Sequence, residues 1–109
     1  MEKFNSLTFA SYREFYSMQE LVNSMRTNYK VWSWGAHSWL NKGNKVLTFK
    51  VNGHHHKGTV AIAVNGSDLF DIWLVSTQGN IKKSITDVYI EDLIDTIDVA
   101  VEKIDEYVR

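Results

Sequence analysis

The sequence predicts a small α+β domain: an N-terminal helix, an antiparallel five-stranded meander, and a C-terminal helix, with both helices on one face of the sheet. Three observations carry this reading. Apolar residues recur at helical spacing near both ends of the chain. Between those ends they alternate with polar residues. The alternating stretch is cut by four turns rich in Asn and Gly.

The first helix is expected over about 12–27. Ser11 and Glu14 have capping-box spacing, and Ala10 and Phe15 stand at the hydrophobic-staple positions. Phe15, Met18, Val22, Met25 and Tyr29 then form one helical face. From Tyr29 onward the period becomes two. Asn41-Lys42-Gly43-Asn44, Asn52-Gly53, Asn65-Gly66 and Gln78-Gly79-Asn80 divide this region into strands at about 29–40, 45–51, 54–64, 69–76 and 81–85. Strands joined by such tight turns are antiparallel neighbours. A second helix is expected over about 87–107, capped by Thr86 or Asp87. Its stripe is Ile90, Ile94, Ile97, Val101, Ile104 and Val108, widened by Leu93 and Ala100.

A two-residue turn at Asn52-Gly53 pairs Val51 with His54, Phe49 with His56 and Leu47 with Gly58. Leu47, Phe49, Val51, His54, His56, Val60, Ile62 and Val64 then share the face that the helices cover. Thr48, Lys50, His55, Lys57, Thr59, Ala61 and Ala63 occupy the other face, expected to be open. In the run from Leu69 to Val75 both parities are apolar. With Phe70, Ile72 and Leu74 inward, Leu69, Trp73 and Val75 point outward.

With 109 residues, 44% of them hydrophobic, the chain suits one domain, 1–109, with a core that needs no staple. It has no cysteine, which removes disulfides and thiolate chemistry, and no proline, which removes PxxP segments. Met1 to Phe15 carries Glu2, Lys3, Arg13 and Glu14 without an apolar run, so no secretory signal is read there. Without an apolar window long enough to span a bilayer, the expected location is cytoplasmic.

Charge is unevenly spread although the net is −1. Residues 28–83 carry seven lysines against Asp68 and Asp71, while residues 84–109 carry Lys103 and Arg109 against eight acids. The basic segment also holds all four tryptophans: Trp32, Trp34, Trp39 and Trp73. Lysines that contact phosphates and aromatics that stack on bases are what single-stranded nucleic acid requires. Lys50, Lys57, Lys82 and Lys83 are the candidate contacts. The helix–sheet–helix order resembles that of double-stranded-RNA-binding domains in topology alone, with Lys82-Lys83 ahead of the last helix. The Ala-rich lysine motif of that family is missing, and the last helix is acidic.

Catalytic motifs are sparse. There is no Gly-x-Ser-x-Gly elbow, and the stretch from Gly53 to Gly58 lacks the ending of a phosphate loop. Asp68 and Asp71 read as turn residues. His54 and His56, two apart on a strand, make a two-nitrogen pincer, but zinc needs three or four ligands. His37, Asp68 and Asp71 stand at no recognised spacing for completing that set. No cofactor or metal is therefore expected.

These readings favour a small non-enzymatic protein–protein interaction module. Leu69, Trp73 and Val75 would form an apolar strip, and Asp95, Asp98 and Glu102 an acidic face for a basic partner. The partner is another protein or a second copy of the chain, since symmetric pairs are the commonest oligomers. A nucleic-acid-binding module is the alternative, and a His-based metal protein or enzyme the third reading.

Overall fold

A computed structural model describes residues 17–101. The capping box at Ser11 and Glu14, and the helical positions beyond Val101, lie outside the described residues. The order is α1 (Met18–Arg26), α2 (Tyr29–Ser33), β1 (His37–Lys42), β2 (Val46–Asn52), β3 (Lys57–Val64), β4 (Phe70–Val75), β5 (Ile81–Val88), a short 3-10 turn (Ile90–Asp92) and α3 (Leu93–Val101). All five strands form one antiparallel sheet in sequence order, the expected meander.

The helices meet one face of that sheet. Met18, Val22 and Met25 of α1, Val31 of α2 with Trp34 just after it, and Leu93, Ile97 and Val101 of α3 pack in one cluster. Their partners include Leu47, Phe49, Val51, Val60, Ile62, Phe70, Ile72 and Leu74. The alternation thus assigns the inward residues of β2, β3 and β4 correctly. Among the described residues, no helix is long and apolar enough to cross a membrane.

Four local expectations are corrected. First, the stretch 29–40 does not form one strand, since residues 29–33 are helical. The Asn28 side chain accepts the Lys30 amide at 2.8 Å, an N-cap that starts α2. Gly35 then turns the chain at φ 66° before β1 begins. Tyr29 follows the end of α1 and is exposed rather than part of the α1 stripe.

Second, Asn52-Gly53 is not a two-residue turn. Val51 pairs with Gly58, Phe49 with Val60 and Leu47 with Ile62, leaving residues 53–56 as a loop. A side chain on Gly53 would meet Val101 Cγ1 at 2.4 Å, so the loop is wedged beneath α3. His55 N–H donates to the Val101 carbonyl at 2.7 Å and fastens it there. The register differs from expectation by four residues, an even number, which is why the faces still came out right.

Third, Thr86 and Asp87 do not cap a helix, because β5 continues to Val88. Asp87 occupies a bulge at φ 59°, and its N–H donates to Asp71 Oδ1 at 3.1 Å. The bulge lets Ile85 and Val88 both reach the core. The last helix starts later, and Ile90 of the expected stripe is exposed.

Fourth, the centre of the other sheet face is closed. Val46, Ala61, Ala63, Trp73 and Val75 form a second buried cluster with Ile81 against it, and Thr48 is buried on that face too. Trp73 stands opposite Ala61 in register, where a small residue leaves room for the indole.

Candidate functional site

A bulge in β1 builds the most distinctive cleft. His37 pairs with Lys50, but the register slips by one before Leu40, and Ser38 takes φ 58°. Beyond β1, Lys50 pairs with Thr59, and Asn52 with Lys57. These residues share the face opposite the helices, at the end of the sheet where the β4–β5 turn brings in Thr77. His37, Lys50, Asn52, Lys57, Thr59 and Thr77 thereby line a cleft of about 480 Å³.

His37 also borders a second cleft, about 370 Å³, formed with Arg26, Val31, Trp32, Ala36, Ser38 and Trp39. His37 is thus the hinge between a lysine-lined hollow and an aromatic one. Its Nδ1 lies 2.8 Å from the Gly35 carbonyl. A carbonyl only accepts, so Nδ1 carries the hydrogen, and Nε2 of the neutral ring is then an acceptor. Among the described residues no carboxylate lines either cleft. Chemically, the combined surface offers ammonium, guanidinium, hydroxyl and amide donors beside indole faces. That set suits an anion attached to a flat ring.

The four tryptophans divide sharply. Trp34 is fully buried and stacks on Phe49 with ring centroids 6.3 Å apart, and Trp39, half-buried, stacks on the same ring at 4.3 Å. Trp73 is buried in the second cluster. Trp32 is 70% exposed.

Of the lysines singled out in the sequence, Lys50 and Lys57 come together in the first cleft. Lys82 and Lys83 do not line it; they belong to β5, the edge strand opposite β1. Of the apolar strip, Trp73 and Val75 are on the face that alternation gave them but buried within the chain, at 8% and 3% exposure. Leu69 is half-buried in the loop before β4. Of the acidic set, Asp95 bonds Lys30 Nζ at 2.6 Å, and Asp98 accepts the Trp34 Nε1–H at 2.8 Å. Glu102 lies outside the described residues.

The three histidines sit in the 53–56 loop and its approach to β3, not on a strand. His54 and His55 meet edge-on at 5.2 Å, while His56 Nε2 is 3.3 Å from the Thr59 carbonyl. Burial holds the His56 pKa below the usual histidine value, and the Thr59 and Val75 carbonyls oppose that shift. Among the described residues no three His, Cys, Asp or Glu side chains are grouped to hold a metal ion. Asp71, by contrast, is structural: Asn65 Nδ2 donates to both Asp71 and Asp87 at 2.8 Å, tying the β3–β4 loop to the β5 bulge.

Sequence reasoning missed His37, Trp32, Arg26, Asn52 and Thr77 as members of one surface. Only the parity of Lys50 and Lys57 signalled it. No family model, curated protein or solved structure matches this chain.

Proposed function

We propose that the protein is a non-catalytic binding module whose ligand is a polyanion, namely nucleic acid, held in the cleft around His37. The observation that carries this reading is the convergence of Lys50, Lys57 and His37 on one cleft with no described carboxylate in its lining. Two ammonium groups that line one concave surface with no described carboxylate beside them repel each other, and an incoming phosphate relieves that repulsion. Thr59 and Thr77 add hydroxyl donors, which commonly fix phosphate register.

Fluorescence anisotropy with a labelled oligonucleotide, titrated with salt, tests it. Affinity should fall linearly in a log–log plot as phosphates release counterions. Replacing Lys50 and Lys57 by Glu should abolish retention, and replacing Lys82 and Lys83 should weaken it far less. No binding by the wild type at low salt would sink the reading.

A protein partner is the second reading, and a separate surface favours it. A groove between α1 and α3 is lined by Leu21, Met25, Ile90, Leu93 and Ile94. Tyr89 and Ile90 are 59% and 55% exposed. Adjacent exposed apolar side chains at a groove suit a protein contact, including a second copy of the chain. Sedimentation of wild type and Ile90→Asp checks this: a concentration-dependent dimer lost in the variant would support self-association.

A further inference from the structure

Trp32 combines two properties that seldom go together. Its indole is 70% exposed, yet its Nε1–H donates to the Arg26 carbonyl at 2.5 Å, at the end of α1. An exposed tryptophan ordinarily samples several rotamers, and ordering it on a ligand costs side-chain entropy. Here the hydrogen bond fixes the ring before any ligand arrives. The fixed ring borders the cleft that also holds Arg26, Trp39 and His37, and His37 opens onto the lysine cleft. Tyr29, three residues earlier on α2, is 75% exposed and lies on the same side of the helix.

We infer that Trp32 is a pre-oriented stacking shelf for an unpaired base, which makes the site selective for single-stranded over duplex nucleic acid. The inference deepens the nucleic-acid reading and rests on it. Lys50 and Lys57 hold the phosphates, and the strand crosses His37 so that a base lies on the indole. A base in a duplex is already stacked on both sides and cannot reach the shelf without being pulled out. Charge complementarity selects a strand of phosphates as the occupant, and the flat exposed ring selects its bases.

The test compares three probes under one salt condition: an oligothymidylate of about twelve residues, its abasic counterpart, and a duplex of equal length. The abasic strand keeps the phosphates and lacks the bases. The base-bearing single strand should bind about five- to a hundred-fold tighter than the abasic one, the range expected for one stacked base. It should also outbind the duplex. Trp32→Ala should erase the preference over the abasic strand without changing the salt slope, because stacking releases no counterion. Trp32→Phe should retain part of it. Since Trp32 is mostly exposed, both variants should keep the wild-type melting temperature.

Intrinsic fluorescence gives a second readout, as Trp34 and Trp73 are buried and Trp39 is half-buried against Phe49. Quenching by the base-bearing strand should come from Trp32 and vanish in Trp32→Phe. Equal affinity for base-bearing and abasic strands would overturn the shelf while leaving the phosphate cleft standing. Duplex binding as tight as single-strand binding would overturn it as well. Failure of all three probes would remove the shelf and the nucleic-acid reading together.

Discussion

The indole N–H of Trp34 donates to Asp98 Oδ1 across 2.8 Å, joining the end of α2 to α3. Trp34 is fully buried, so this carboxylate satisfies a donor with no access to water. Asp98→Ala should therefore cost about 1–3 kcal/mol in urea unfolding, the penalty for a stranded buried donor. Asp98→Asn keeps an acceptor oxygen and should cost clearly less. Asp95, 68% exposed in its pair with Lys30, should tolerate Asn with little change in melting temperature. Equal losses at positions 95 and 98 would show that the Trp34 bond is not what matters.

Trp73 should behave as core. It is buried with Val46, Ala61, Ala63 and Val75 on the sheet face away from the helices. Trp73→Ala should cost about 3–5 kcal/mol, as for other large aromatic truncations. The variant's sedimentation should match the wild type's. A stable variant with altered association would return Trp73 to the role of a contact anchor.

The glycines separate two accounts of the turns. Gly58 holds φ 143° in β3, and a side chain there would meet the Val75 carbonyl at 2.2 Å. Gly58→Ala should lose about 1–3 kcal/mol from backbone strain alone, with the clash added to that. Gly66 does not have positive φ, and nothing lies within 4 Å of a side chain placed there. Gly66→Ala should therefore be neutral or slightly stabilising, by restricting the unfolded chain. If Asn65-Gly66 were a type I′ pair, the same change would be costly. Thermal melts of the two variants decide between these accounts.

These turns also show where the sequence is readable and where it stops. Turn residues located every strand break, because Gly and Asn mark chain reversal whatever the detailed geometry. They did not give the loop length. At Gly53 it is set by Val101 in α3, a contact distant in sequence; nor did they show the bulge that prolongs β5, where Asp87 bonds Asp71. The helix at 29–33 was hidden because Tyr29, Val31, Trp32 and Trp34 are all residues that favour strands. Asn28 supplied the overriding signal as an N-cap. For the candidate site, parity in β2 and β3 grouped Lys50 with Lys57. Nothing in the pattern could bring Trp32 beside His37, since that depends on the path from α1 to the bulge in β1. Which tryptophan remains exposed was equally illegible, because all four sit among β-forming neighbours.

Ile97 tests whether the α3 stripe is interior to one chain. It is fully buried with Leu93 and Val101 against the sheet. Ile97→Ala should cost about 2–5 kcal/mol as a core truncation. Wild-type stability should not change on dilution. A midpoint that falls as protein is diluted would move the stripe into an interface between chains.

His56 gives the fold a pH dependence of definite sign. Its ring is nearly buried beside the Thr59 and Val75 carbonyls, and desolvation lowers its pKa from the ordinary 6.5. Lys82 adds a weaker push in the same direction. A lowered value means that the folded chain holds His56 neutral while the unfolded chain binds a proton more readily. By linkage, unfolding then takes up a proton below the unfolded pKa, so stability rises with pH through this window. The His56 contribution is fully present above about 6.5 and fades as pH falls toward the folded pKa. Chemical denaturation at a series of pH values from neutral to acidic, for wild type and His56→Gln, isolates this term. The wild type should lose stability on acidification beyond what the variant loses, and the difference between the two should be flat above neutrality. A difference curve for His56→Gln that is flat throughout, or that grows toward alkaline pH, would mean that burial of the neutral ring does not control this position.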